Sequence, residues 1–273
     1  MSQDTKRQKV PMYLRPPISY YGGKQLLLPY ILPIIPEHRK YAESFVGGGA
    51  VYWTKQPSEL EIINDIDGFI ANFYNVFKTD FEALKRLVDT KTYNRKHHDD
   101  ALIMRQYPHL FSDVQRAWSF YFLCNSSIYC ILDNGMNMPS KDIKPLKSYN
   151  NKVARLMDLE GYAERLKNTF IESRDALYVI TRHDAPDTFH FIDPPYFNSD
   201  CGHYKGYTAA DFTDLLNILA TLKGKFLLTC YPSDILNSYL DRYGWHIDRI
   251  EMVLNAGSKG KKKVECLVRN YTV

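Results

Sequence analysis

Residues 189–199 read FHFIDPPYFNS, an apolar run closed by a carboxylate, two prolines and two aromatics. Proline donates no hydrogen bond to a sheet ladder, and Pro195 keeps Pro194 out of helix. Residues 189–192 therefore read as a buried strand that stops abruptly and leaves Asp193 at its tip. The Asp193 carboxylate and the Pro194 carbonyl are two adjacent acceptors. Such a pair suits an exocyclic amino group on a base, a poor nucleophile because its lone pair is delocalised into the ring. Accepting both hydrogens draws that nitrogen toward sp³ geometry. The prolines stiffen the turn, and Tyr196 offers a face on which a flipped-out base can stack.

A second constellation lies upstream. ESFVGGGAVYW (43–53) is a strand, a glycine turn and a helix start. Such a turn lets backbone N–H groups approach an anionic ligand group, although it serves equally as a plain tight turn. It is not the dinucleotide fingerprint, because Tyr52 stands where the third glycine is needed. Asp65 ends the next strand, where a carboxylate can accept from both hydroxyls of a ribose; Asp65 or Asp67 can also cap the following helix. Asp175, just past the strand 168–173, has the same two readings. Three successive strand ends with ligand-competent groups predict an adenosine-containing cofactor at the C-terminal edge of the strands. SYYGGKQLLLPY (19–30) adds Tyr20 and Lys24 beside a glycine pair, either a carboxylate contact or a surface turn.

The elements that must position these groups alternate. Strands are predicted at 40–45, 60–65, 168–173, 188–193, 225–230, 245–254 and 263–271, and residues 1–14 as a disordered tail. Helical periodicity fills 76–167. Thr208 with Asp211 forms a capping box for a helix over 209–222, Gly224 lies beyond its end, and Ser233 caps the next. The pattern predicts a seven-stranded, mostly parallel three-layer α/β domain built from 15–75 and 168–273, with 76–167 as a helical insert.

Composition narrows the class. The chain has 273 residues, 45% hydrophobic and 24% charged, enough for one large core or a core with a smaller lobe. No apolar run approaches a membrane span and the polar start lacks a signal-peptide core, so a cytoplasmic protein is expected. The cysteines at 124, 130, 201, 230 and 266 form no CxxC pattern, as expected of reduced structural thiols. HHDD (97–100) lacks an evident third metal partner and reads as a solvated helix face. Net charge is only +4, but basic residues cluster at 5–9, 140–147 and 257–263. The last of these, GSKGKKK, with Lys259, Lys261, Lys262 and Lys263, is expected to contact nucleic-acid phosphates.

In the order YYGGK (20–24), FVGGG (45–49), NDID (64–67), DPPY (193–196) and ECLVRNY (265–271), the chain resembles the Dam-like DNA adenine-N6 methyltransferases over most of 16–271. The resemblance implies a Rossmann-like class I methyltransferase fold, S-adenosylmethionine as cofactor, no metal, and double-stranded DNA as partner of a monomer or weak dimer. It implies that Tyr20, Lys24 and Asp65 contact the cofactor and that Asp193 contacts the catalytic centre. Phe45, Gly47, Gly49 and Asp175 are expected around the cofactor, and Pro194 and Tyr196 beside Asp193. The helical insert becomes a target-recognition domain. Its segment FLCNSSIYCILDNGMNMPS (122–140) departs from the Arg/Tyr-rich stretch of many relatives, so no recognition sequence carries over. Asn125, Ser126, Ser127, Asn134 and Asn137 can read base edges there or make turn and cap hydrogen bonds. Cytosine-N4 or RNA transfer, and a non-catalytic nucleic-acid-binding module, are the alternative functions.

Overall fold

A computed structural model of the chain describes residues 12–139, 142–157, 160–198, 206–253 and 262–273. Its strands are β1 (Lys40–Glu43), β2 (Leu60–Asn64), β3 (Thr169–Glu172), β4 (Thr188–Ile192), β5 (Lys225–Cys230), β6 (His246–Val253) and β7 (Lys262–Arg269). They form one seven-stranded sheet in the order β3-β2-β1-β4-β5-β7-β6. β2, β1, β4 and β5 pair in parallel, and β7 runs antiparallel to both β5 and β6. This is the mostly parallel α/β sheet expected from the sequence.

The chain divides into two compact units, one from residues 1–32, 46–57 and 65–173, the other from 33–45, 58–64 and 174–273. The second unit holds most of the sheet. Phe226, Leu228 and Cys230 of β5 and Cys266 and Val268 of β7, spaced by two, turn one face toward Ile180, Phe212, Leu215, Leu216, Leu219 and Leu236 from its helices. Period-two alternation is thus the source of this core. Glu43 of β1 aligns with Ile63 of β2 and with Phe191 of β4, so the three strands end in step. Helices Ala209–Leu219 and Asp234–Tyr243 start at Thr208 and Ser233, whose hydroxyls accept from the N–H groups of Asp211 and Leu236. Gly224 has a different task from ending a helix. A Cβ there would lie 2.6 Å from the Thr188 carbonyl oxygen and 2.8 Å from that of Ala185.

The other unit is mainly helical and rich in buried rings. Helix Asp113–Ser126 is buried continuously from Ala117 to Ser126, as expected for a central helix with no solvent face. Helices Gly68–Thr79, Phe81–Thr90, Arg95–Gln106 and Lys144–Met157 pack around it. Ser112 and Gln115 close a capping box at its start. Trp53, Phe73, Tyr74, Phe77 and Tyr162 form a neighbouring ring cluster, with centroids mostly between 5.2 and 6.2 Å apart.

Two local expectations change. The predicted disordered tail extended to residue 14, but the N–H groups of Tyr13 and Leu14 donate to the carbonyls of Thr54 and Trp53 at 2.9 and 3.0 Å. Pairing of backbone groups orders those residues; residues 1–11 lie outside the described set. The HHDD face is not wholly solvated, because His98 is buried and its Nε2 is 3.2 Å from the Ser127 hydroxyl. Among the described residues no helix is long and apolar enough to cross a membrane, and no three His, Cys, Asp or Glu side chains cluster to hold a metal ion. The four described cysteines are free thiols, and Cys201 lies outside the described residues.

Gly224→Ala is expected to destabilise the protein by about 1–3 kcal/mol, because both obstructing atoms are backbone oxygens that cannot rotate away. Denaturant unfolding measures this. Gly135→Ala, with open space around its Cβ position, should stay close to wild type.

Candidate active site

The glycine turn and Asp65 form one assembly in the helical unit. Gly47 and Gly49 have φ of +46° and +64°, left-handed conformations that disfavour a side chain. Gly48 is required for space, since a Cβ there would lie 2.7 Å from Cβ of Tyr20. Tyr20 therefore lies directly on the turn. The Gly47 N–H donates to Asp65 Oδ2 at 2.9 Å, and the Asp67 N–H donates to Oδ1 at 3.0 Å. The Gly49 N–H donates to the Val46 carbonyl at 2.6 Å, and the Tyr74 hydroxyl donates to the Gly47 carbonyl at 3.1 Å. This revises the expectation that the turn offers its amides to an anion: those of Gly47 and Gly49 already have protein acceptors.

The two aspartates after β2 divide their work. Asp67 caps helix Gly68–Thr79 by accepting from the Phe69 N–H at 2.8 Å. Asp65 anchors the turn instead. Burial pushes its carboxyl up to about 6, with the nearby Asp67 charge adding to the rise and the two N–H donors opposing it. Each Asp65 oxygen accepts one amide, which leaves lone pairs for further donors. Lys24 is half-buried, its ammonium donating to the Gly22 carbonyl at 3.1 Å. In the other unit, Phe45 packs half-buried against the sheet core, and Asp175 caps helix Ala176–His183 by accepting from the Tyr178 N–H at 3.0 Å.

The sheet unit positions Asp193 and Tyr196. β4 is buried along its whole length and ends at Ile192; Asp193 follows, then buried Pro194. Thr229, on the neighbouring strand β5, donates its hydroxyl proton to Asp193 Oδ1 at 2.6 Å. The Tyr196 hydroxyl donates to Oε2 of Glu265, on β7, at 2.9 Å. Burial, with the negative charges of Asp193 and Glu265, holds the Tyr196 phenol well above its ordinary range, so it stays a donor. Thr229 and Glu265 did not stand out in the sequence, because their partners lie 36 and 69 residues away. The one available signal was a polar residue at a buried strand position.

The expected nucleic-acid contacts differ in their surroundings. Asn125 and Ser126 are buried. Asn125 accepts from the Ser19 N–H at 3.1 Å and donates to the Tyr121 carbonyl at 2.9 Å, so its amide holds the Tyr20 segment against the central helix. Ser127 is buried beside His98, and Asn134 donates to the Ile128 carbonyl at 3.2 Å, a turn bond. Asn137 is exposed; its N–H donates to the Ser126 carbonyl and its carbonyl accepts from the Tyr93 hydroxyl. Lys259 and Lys261 lie outside the described residues, as does the side chain of Lys262. Lys263, the last lysine of that run, has its ammonium 2.6 Å from Glu265 Oε1 and 5.6 Å from the Tyr231 ring centroid. A signal that sequence reading missed is Tyr129, 74% exposed in the same segment and held at φ +58°.

Comparison with known proteins matches residues 20–256 to the model of the D12 class N6 adenine-specific DNA methyltransferases. The type II methyltransferase M.MjaIII of Methanocaldococcus jannaschii is 30% identical, over 95% of this chain and 100% of its own length. The type II methyltransferase M1.LlaDCHI of Lactococcus lactis subsp. cremoris is 27% identical over 97% and 98% of the two chains. A DNA adenine methylase of Escherichia coli K12 is 24% identical over 93% and 94%. With a match that spans most of the sequence and a DPPY turn held at a strand tip, the chain belongs to the D12 class N6 adenine-specific DNA methyltransferase family.

Proposed function

We propose that the chain transfers a methyl group from S-adenosylmethionine to N6 of an adenine flipped out of duplex DNA, in the cytoplasm. Asp193, held by Thr229 at the tip of β4 with Tyr196 beside it, is the observation that carries this reading. Asp193 Oδ and the Pro194 carbonyl accept the two N6 hydrogens and shift the lone pair toward attack. Tyr196 stacks the base. S-adenosylmethionine, when bound, supplies an electrophilic methyl carbon on a sulfonium. The proton lost from N6 after attack passes to Asp193 or to water.

The residues after β1 and β2 fit such a cofactor. Asp65 is a half-buried acceptor with lone pairs to spare, suited to the two ribose hydroxyls. Tyr20, Lys24, Phe45, Gly47, Gly49 and Asp175 complete the proposed surround. The helical segment 76–167 serves target recognition, with Asn134, Asn137 and the exposed Tyr129 as its candidate contacts. Lys259, Lys261 and Lys262 supply phosphate contacts.

Incubation with labelled S-adenosylmethionine and unmethylated genomic DNA should yield N6-methyladenine on nucleoside analysis. Asp193→Ala should lower the rate by about 10²–10³-fold while leaving the cofactor bound; a bound but inactive wild-type enzyme would sink the DNA reading.

Asp65 makes cofactor affinity depend on pH. The free carboxyl titrates near 6, and ribose hydroxyls donating to the ionised form lower that value in the complex. Binding therefore expels a proton below pH 6, and affinity should fall up to about tenfold per pH unit there. Calorimetry from pH 5 to 8 tests this; Asp65→Asn should bind more weakly with a flat profile.

Thr229→Val removes the donor to Asp193 at nearly constant volume. It should cost about 1–2 kcal/mol of stability and slow transfer, whereas Thr229→Ser should restore both.

A further inference from the structure

Glu265 is a charge where the strand needs none. Its neighbours Cys266 and Val268 follow the sheet alternation into the core, and its own side chain is only 4% exposed. A buried carboxylate adds little to stability over an apolar residue of similar size, even when paired. Its two oxygens are nevertheless each assigned. Oε2 accepts from the Tyr196 hydroxyl at 2.9 Å, and Oε1 pairs with the Lys263 ammonium at 2.6 Å. Lys263 lies over the Tyr231 ring, and the Tyr231 ring meets that of Tyr196 edge-on, with centroids 4.5 Å apart at 70°. The four side chains Tyr196, Glu265, Lys263 and Tyr231 close a cycle.

We propose that Glu265 is a positioning residue for methyl transfer: with Lys263 it fixes the Tyr196 ring by its hydroxyl end, while Tyr231 braces the ring edge. The inference rests on the reading of Tyr196 as the stacking face for the target base. A ring held only by apolar contact rotates and tilts; a hydroxyl bonded to an ionised acceptor sets its distance and direction. Productive sites hold their groups within about 10–20° of the working geometry, through supporting hydrogen bonds such as this one. Thr229 on β5 donates to Asp193, and Glu265 on β7 accepts from Tyr196.

The experiment compares single-turnover methyl transfer to genomic DNA by the wild type, Tyr196→Phe, the pair Lys263→Met with Glu265→Leu, and all three changes together. The paired replacement puts apolar side chains of similar size in place of the ion pair but leaves the Tyr196 hydroxyl without that acceptor, so it should lower thermal stability only modestly, a loss that Tyr196→Phe recovers. It should nevertheless slow transfer on the order of tenfold, with calorimetric affinity for S-adenosylmethionine unchanged. Adding Tyr196→Phe should then cost clearly less than it does in the wild type, because its hydroxyl has already lost the Glu265 acceptor. Wild-type rates from the paired variant would overturn the inference, as would an equal loss from Tyr196→Phe in both backgrounds. Should the paired variant not fold, Glu265→Gln crossed with Tyr196→Phe reads the same coupling, and additive losses reject it. A wild type that makes no N6-methyladenine strikes the function itself and Glu265 with it. An active wild type with additive losses strikes Glu265 alone.

Discussion

A carboxylate out of bulk water must be given donors, and that requirement organises both halves of this molecule. Asp65 takes the backbone amides of Gly47 and Asp67, Asp193 takes the Thr229 hydroxyl, and Glu265 takes the Tyr196 hydroxyl and the Lys263 ammonium. Each bond ties a strand end or loop to another segment. Remove the carboxylate and the segment loses its reference point; remove the donor and a buried charge is left short of partners.

The glycine turn illustrates the first case. Its left-handed residues and its missing side chains let Tyr20 and Tyr74 close over it, while its amide at Gly47 turns inward to Asp65. The turn is thus rigid because its hydrogen bonds are internal. Burial, which lifts the Asp65 carboxyl to about 6, also makes it responsive to any further donor.

The sheet unit handles the second case with strand order. β4 leads into Asp193; β5 beside it brings Thr229, and β7 on the far side of β5 brings Glu265. The antiparallel β7 is what allows a residue near its start to reach the turn that follows β4: Cys266 of β7 lies opposite Cys230, the last residue of β5. A parallel last strand would present its opposite end there. The closing hairpin therefore does more than cover the sheet edge.

Much was legible in the chain itself. Seven strands, the capping Thr208 and Ser233, and the turn at 193–196 follow from local alternation, from hydroxyls placed before helices, and from proline's missing donor. Asp193, Tyr196, Gly47, Gly49 and Asp65 could be singled out because residue type and immediate context define them. Tertiary structure decided the rest. Asn125 became a strut rather than an exposed reader when its helix was buried on all sides. Lys263 left the basic loop for an ion pair, and Thr229 and Glu265 acquired roles only through partners 36 and 69 residues distant. Local sequence encodes which conformations a segment prefers; which donor meets which buried carboxylate depends on the order and register of strands, and that exists only in the folded sheet.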